Sequence, residues 1–323
     1  MQISNLGSFT KYEGIYRNYI KDSDIGFLKV FTCKALNIQQ YYNKLSEAGK
    51  TESQIKNLNK VLKGAFKYAV QEGFAVKNPC DYISIPKPEV EEFDEINDDE
   101  DELEIFDIKS INKIISVCYE RINDDNINED EKVFYYLILF DLATGLRKGE
   151  LLGLQDKNAP ASKVKVRKSL TKIKKFENRQ SVGYEYKLIT PKTPNSIRDI
   201  PIPTKIQFLL QKYKKTQVKK YKENGKVFDK NSLLFTNSNC NIIDGDNLLK
   251  KWKEFLEELG IPYKKWHALR ASYASLLFMS GADLKTVQEF LGHADINTTL
   301  EIYVYVFPEK KQDVVNVIDK FFH

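Results

Sequence analysis

Apolar residues recur along much of this chain at helical spacing. Ile38, Tyr41, Tyr42 and Leu45 follow an i, i+3, i+4, i+7 stripe, and Ile55, Leu58, Val61, Leu62, Phe66, Ala69 and Val70 form a second. Thr51 with Gln54 three residues on makes a capping-box start, Gly73 supplies a stop, and Asn78-Pro79 ends the segment. These signals predict a small helical domain over residues 1–86. A helix is expected from about Ser110, and another over Val133–Thr144, stopped at Gly145. Between residues 163 and 203 the period changes to two. Lys163–Arg167, Tyr184–Ile189 and Ile197–Ile202 predict a small antiparallel sheet of three strands. Helices then return: Leu248, Leu249, Trp252, Phe255, Leu256 and Leu259 share a stripe closed by Gly260 and Pro262, and three more are expected around Leu269–Met279, Leu284–Leu291 and Thr298–Tyr303. In the last segment, Glu309–Phe322, the residues Val314, Val315, Ile318 and Phe322 fall on one face.

Charge divides the chain more sharply than its net of +5 suggests. Residues 88–107 carry twelve acidic side chains and no Lys or Arg, which leaves 33 acidic against 50 basic residues elsewhere, a net of +17. A run this acidic repels itself, so 87–107 reads as an extended linker. The basic remainder suits a polyanion, because each cation set on a phosphate releases a counterion. The lysines of 205–226 (Lys212, Lys214, Lys215, Lys219, Lys220 and Lys222) read as a solvated helix face, whereas Lys165, Arg167 and Lys168 on the sheet are candidates for DNA contact.

The apolar run Phe134–Phe140 is far short of a membrane span, and the first residues show no secretory pattern. Cys33, Cys80, Cys118 and Cys240 are scattered without metal-ligand spacing, as expected of reduced thiols in a cytoplasmic protein. Neither a metal cluster nor a phosphate-binding glycine loop is visible, so the expectation is chemistry without a cofactor.

Five short pieces can carry such chemistry: Ala143-Thr144-Gly145-Leu146-Arg147-Lys148-Gly149-Glu150, Pro191-Lys192-Thr193-Pro194-Asn195-Ser196-Ile197-Arg198, His267-Ala268-Leu269-Arg270, Leu291-Gly292-His293, and Thr298-Thr299-Leu300-Glu301-Ile302-Tyr303. A phosphodiester can be attacked without metal if cationic side chains take the charge on its non-bridging oxygens. Arginine suits this, being always charged and able to fork onto phosphate. His267 and Arg270 are three apart on a predicted helix and share its face. Arg147 follows a helix stop, where a side chain can point into a cleft. Gly292 reads as a helix cap that projects His293 off the helix end. Arg198 reads as a residue on a strand face, and Arg147 could also merely neutralise Glu150 in a surface ion pair.

In this order and spacing, the motifs resemble those of the tyrosine recombinase (phage-type integrase) family. Residues 107–306 resemble its catalytic domain and residues 10–86 its helical core-binding domain. The resemblance implies a mainly α fold with a small antiparallel sheet, the two domains forming a C-shaped clamp on double-stranded DNA. The domains would be 1–86 for core binding, 87–107 as acidic linker, 108–306 for catalysis, and 307–323 as a C-terminal helix docking on a neighbouring subunit. It implies Tyr303 as nucleophile, forming a 3′-phosphotyrosyl bond and freeing a 5′-hydroxyl. Arg147 and Arg270 would clamp the phosphate, with His267 assisting proton transfer and His293 bonding the phosphate in the transition state. Lys192 would protonate the leaving oxygen, and Glu150 would orient the set. Tyr305 stays open as a rival to Tyr303, and Lys187 to Lys192. A phenol ordinarily titrates near ~10 and needs neighbouring cations to lose its proton.

The energy of the broken bond is kept in the phosphotyrosine, so neither ATP nor metal is called for. Strand exchange implies a homo-tetramer on two DNA sites, and an accessory excision factor is a further partner the family implies. The arm-binding domain of larger integrases has no room ahead of these helices. The alternatives are a type IB topoisomerase relaxing supercoils as a monomer, and a catalytically silent DNA-binding protein.

Overall fold

The computed structural model describes residues 6–86, 103–177, 180–191 and 194–307. Most of the acidic stretch, Lys192 and the segment from 308 onward lie outside the described residues. The chain divides into two compact units. The first comprises residues 1–101 with 172–185, and the second 102–171 with 186–323.

In the first unit, α1 (Leu6–Ile15) runs into a wide helical turn, Tyr16–Ile20, and is followed by α2 (Ala35–Glu47) and α3 (Glu52–Gln71). Both bonds of the Thr51–Gln54 capping box are formed. The two apolar stripes meet: Ile38 and Tyr42 of α2 and Ile55, Leu58, Leu62 and Phe66 of α3 share one core, which Cys80 joins from a short turn, Pro79–Tyr82, capped by Asn78. A stretch of the long hairpin described below also belongs to this unit, where Lys174 pairs with Glu13 at 3.1 Å.

The second unit is built around α5 (Glu129–Thr144), which is apolar on every side and correspondingly enclosed. It packs against α4 (Ile108–Asn123), α7 (Thr204–Glu223) and α9 (His267–Met279). The short α6 (Lys148–Leu152) follows α5 directly. The helix α8 (Gly245–Glu258) contributes Trp252, which meets Trp266 at 5.4 Å and Phe106 at 5.9 Å, edge to face. Two further helices, α10 (Leu284–Leu291) and α11 (Ile296–Val306), pack on each other and on α9.

Two expectations need correction. Among its described residues, the region 163–203 holds four strands in two pairs, not three in one sheet. β1 (Lys163–Val166) pairs antiparallel with β4 (Arg198–Pro201), and β2 (Ser169–Glu177) pairs with β3 (Gln180–Ile189). The lysines of β2 hid its alternation. Ile105 and Phe106, at the end of the expected linker, are buried in the core, and the Phe106 N–H donates to Ser272 Oγ at 3.0 Å. Two adjacent apolar side chains outweigh their acidic neighbours, so the chain joins the second unit before α4 begins.

Candidate active site

Gly145 ends α5 in the left-handed conformation (φ 58°), where glycine is unstrained. A Cβ there would also lie 2.3 Å from the Tyr273 ring. The sharp turn brings Arg147 to the start of α6, and Glu150, one turn on, bonds back to it. The Glu150 Oε2 accepts the Arg147 backbone N–H at 3.0 Å, and Oε1 accepts its Nη1 at 3.0 Å. The surface pair considered above is thus half wrong: Arg147 is partly exposed, but Glu150 is buried, because it also holds Arg198.

Sequence reasoning missed Arg198. Its Nη1 and Nη2 donate to the two oxygens of Glu150 at 3.1 and 2.9 Å, and its Nε donates to the Phe290 carbonyl at 2.6 Å. One signal could have found it. Arg198 is in phase with Ile200 and Ile202, both buried, so the strand period points it inward, and an inward arginine demands a carboxylate. Burial raises the Glu150 carboxyl, but bonding and attraction from Arg198, aided by Arg270 and Arg147, hold it at about 2.

Arg270 is almost fully buried on α9. It donates Nη1 to the Gly145 carbonyl and Nη2 to the Leu291 carbonyl, each at 2.6 Å. Arg147 Nη2 reaches the next carbonyl, Gly292, at 3.4 Å. Burial, then the charges of Arg147 and Arg198, push the Arg270 guanidinium well below its ordinary value. The positive charge thus exceeds what Glu150 balances, leaving a site suited to an anion.

Gly292 caps α10 at φ 67°, and a Cβ would lie 2.7 Å from the Asn195 carbonyl and 2.9 Å from Arg198 Cδ. His293 comes off the helix end as expected, but into the protein and not into open space. It is buried, with Nδ1 2.9 Å from Oγ1 of the wholly buried Thr299. Burial, then the charges of Arg270 and Arg147, lower its imidazole to about 3. His267 opens α9 and stays exposed at its edge, yet burial on its inner side, then Arg270 and Arg147, lower it to about 4.

Tyr303 lies on α11, half-buried, its ring 5.2 Å from Phe278 of α9 and 5.2 Å from Phe307, while Tyr305 is exposed. Among the DNA-contact candidates, Arg167 is committed to Asp199 at 2.6 Å and to the Arg198 carbonyl at 2.9 Å, whereas Lys165 and Lys168 have no carboxylate partner among the described residues. Several α7 lysines bind protein: Lys214 pairs with Asp156 at 2.7 Å and Lys220 donates to the Thr236 carbonyl at 2.9 Å. No group of metal-ligating side chains occurs among the described residues, and no described helix is long and apolar enough to cross a membrane.

Comparison with known proteins gives the family and the fold. The phage integrase family matches residues 105–310. A tyrosine recombinase XerC-like protein of Caldanaerobacter subterraneus subsp. tengcongensis is 38% identical over 320 residues, covering 98% of this chain and 78% of the relative. The ICEBs1 integrase of Bacillus subtilis is 27% identical over 289 residues, 87% of this chain and 69% of its own length. In fold, the chain is similar to the Tn1549 transposon integrase, solved in complex with transposon right end DNA (TM-score 0.71, 23% identity, 94% of this chain and 90% of that one). It is also similar to the lambda integrase, solved as a tetramer bound to a Holliday junction (TM-score 0.59, 14% identity, 93% and 72%). With its sequence matched from the buried Ile105 to beyond Tyr303, this chain belongs to the phage integrase family of tyrosine site-specific recombinases.

Proposed function

We propose that this recombinase cuts and rejoins double-stranded DNA through a 3′-phosphotyrosyl bond at Tyr303, integrating or excising a mobile element. One observation carries the reading: Arg147 and Arg270 bond adjacent carbonyls, Gly292 and Leu291, so two guanidiniums from distant segments converge on one place. A phosphate entering there would be forked by both while the Tyr303 oxygen displaces the 5′-oxygen. His293 and His267 are neutral and can donate or accept a proton at the phosphate oxygens. The leaving 5′-oxygen takes its proton from Lys192, which lies outside the described residues. Rejoining is the same step reversed: the 5′-hydroxyl attacks the phosphotyrosine and Tyr303 regains its proton.

The N-terminal helical unit serves as the core-binding domain and residues 105–306 as the catalytic domain, linked by the acidic stretch that precedes the buried Ile105. The mobile-element role is supported by the ICEBs1 integrase among the relatives and by the fold shared with the Tn1549 transposon integrase. A homo-tetramer on two DNA sites is supported by the fold shared with lambda integrase, and residues 309–323 would then dock on a neighbouring subunit.

The test is a nicked duplex built from the DNA flanking the gene, incubated with the wild type and Tyr303→Phe. A covalent protein–DNA complex formed by the first and absent with the second supports the reading. No complex on a verified site points to a silent DNA-binding protein. Strand transfer between two duplexes separates recombinase from topoisomerase, and assembly unchanged by deletion of 309–323 would rule out the docking role.

A further inference from the structure

Asp141 lies on α5, six residues before Arg147, and takes no part in the chemistry above. It is wholly buried, and its Oδ2 accepts the indole N–H of Trp266 at 2.6 Å. Its Oδ1 makes no well-formed hydrogen bond among the described residues, although the backbone N–H of Leu146 also faces the carboxyl. Its backbone carbonyl accepts the N–H of Gly145 at 2.7 Å, where α5 turns towards Arg147. Burial pushes the carboxyl well above the ordinary range, against the Trp266 N–H and the Arg270 charge. A polar side chain so enclosed costs stability unless its place is needed.

Trp266 is the partner that gives it a use. It immediately precedes α9, whose first residue is His267 and whose fourth is Arg270. Most helices around it begin with a side-chain cap, as Asp107, Asn128, Asp244, Asp283 and Asp295 provide, but α9 has none. A helix start without a cap is free to fray or rotate unless another contact holds it. Here Trp266 packs edge to face on Trp252, and Trp252 Nε1 donates to the Lys264 carbonyl at 2.8 Å. Those contacts hold the ring within α8 and the α9 entry. The Asp141 bond alone, among the hydrogen bonds of this indole, ties it to α5.

We propose that Asp141 is a positioning residue. By holding the Trp266 indole N–H, it fixes the first turn of α9, with His267 and Arg270, against the end of α5 that delivers Arg147. The catalytic consequence rests on the phosphodiester-cleaving reading; the placement of His267 does not.

Two arms test it in the full chain, using Asp141→Leu, Asp141→Asn and Trp266→Phe. Asn keeps an acceptor for the indole, Leu removes it, and Phe removes the donor while keeping a ring. The first arm is an NMR titration of His267, identified with His267→Gln among the chain's 3 histidines. Asn should titrate as wild type does, whereas folded Leu and Phe should move back towards the ordinary 6.5 as His267 loosens from the arginines. The second arm is cleavage of nicked DNA at saturation. Asn should stay near the wild-type rate, while Leu and Phe lose about tenfold or more with DNA affinity unchanged. Should Leu fail to fold, Trp266→Phe decides. Wild-type titration and rate in a folded Trp266→Phe would overturn the proposal, as would an Asn variant that behaves like Leu. If wild type itself cuts nothing, the cleavage reading fails, and the titration still decides the role of Asp141.

Discussion

Arg198 and Glu150 meet in a buried two-bond fork, Nη1 to Oε1 at 3.1 Å and Nη2 to Oε2 at 2.9 Å, with Arg147 on the same carboxylate. A single anion therefore orders two arginines from segments some fifty residues apart in sequence. Breaking a buried pair from one side strands a charge, at a cost of about 3–5 kcal/mol. Arg198→Leu should lower stability by that order in urea unfolding, and more than Arg147→Leu does, since Arg147 is partly exposed.

The same carboxylate sets an acid limb. The folded Glu150 is held at about 2 against an ordinary 4.5, so its contribution is complete above 4.5 and is lost as pH falls towards 2. Glu150→Gln should be less stable at neutral pH but should lose less between pH 4.5 and 2. Equal acid slopes in the two proteins would contradict this.

The histidines act over a higher window. His267 and His293 are lowered from 6.5 to about 4 and about 3, so the unfolded chain takes up their protons first as pH drops below 6.5. Stability should fall from pH 6.5 towards 4, and His293→Gln should flatten that fall. Unfolding curves at pH 7 and pH 5 measure the difference.

Gly292→Ala forces an L side chain into a left-handed backbone against the Asn195 carbonyl and Arg198. Strain of this kind costs about 1–3 kcal/mol. Because Gly292 also places His293, the rate of covalent complex formation should drop together with the melting temperature.

Thr299→Val removes the oxygen facing His293 Nδ1 while keeping the shape of the side chain. Leaving that buried nitrogen unpaired costs about 1–3 kcal/mol. The freed ring should slow cleavage about tenfold or more. Thr299→Ser should restore both, and a Val variant as fast as wild type would remove Thr299 from the site.

The helices were legible because amphipathic stripes and caps are local. Thr51 with Gln54, Gly145 and Gly292 each marked a boundary that the structure keeps. So were the residues of the site that sit in short motifs, Arg147, His267, Arg270 and His293, which the fold brings together. Arg198 was misjudged because its partner is 48 residues away, and Asp141 drew no notice because its partner is 125 away. No local pattern distinguishes a buried ion pair from an exposed charge. β2 was overlooked because lysines on a pairing strand look like loop.

Residue type and spacing alone determined the helical framework, the absence of a cofactor motif and the cations available to hold an anion, since each follows from neighbours within a turn or two. The tertiary structure alone decided which cations stand together, which carboxylate balances them and which histidine is buried. Those outcomes depend on desolvation and charge between segments that meet only when α5, α9, α10 and β4 have packed.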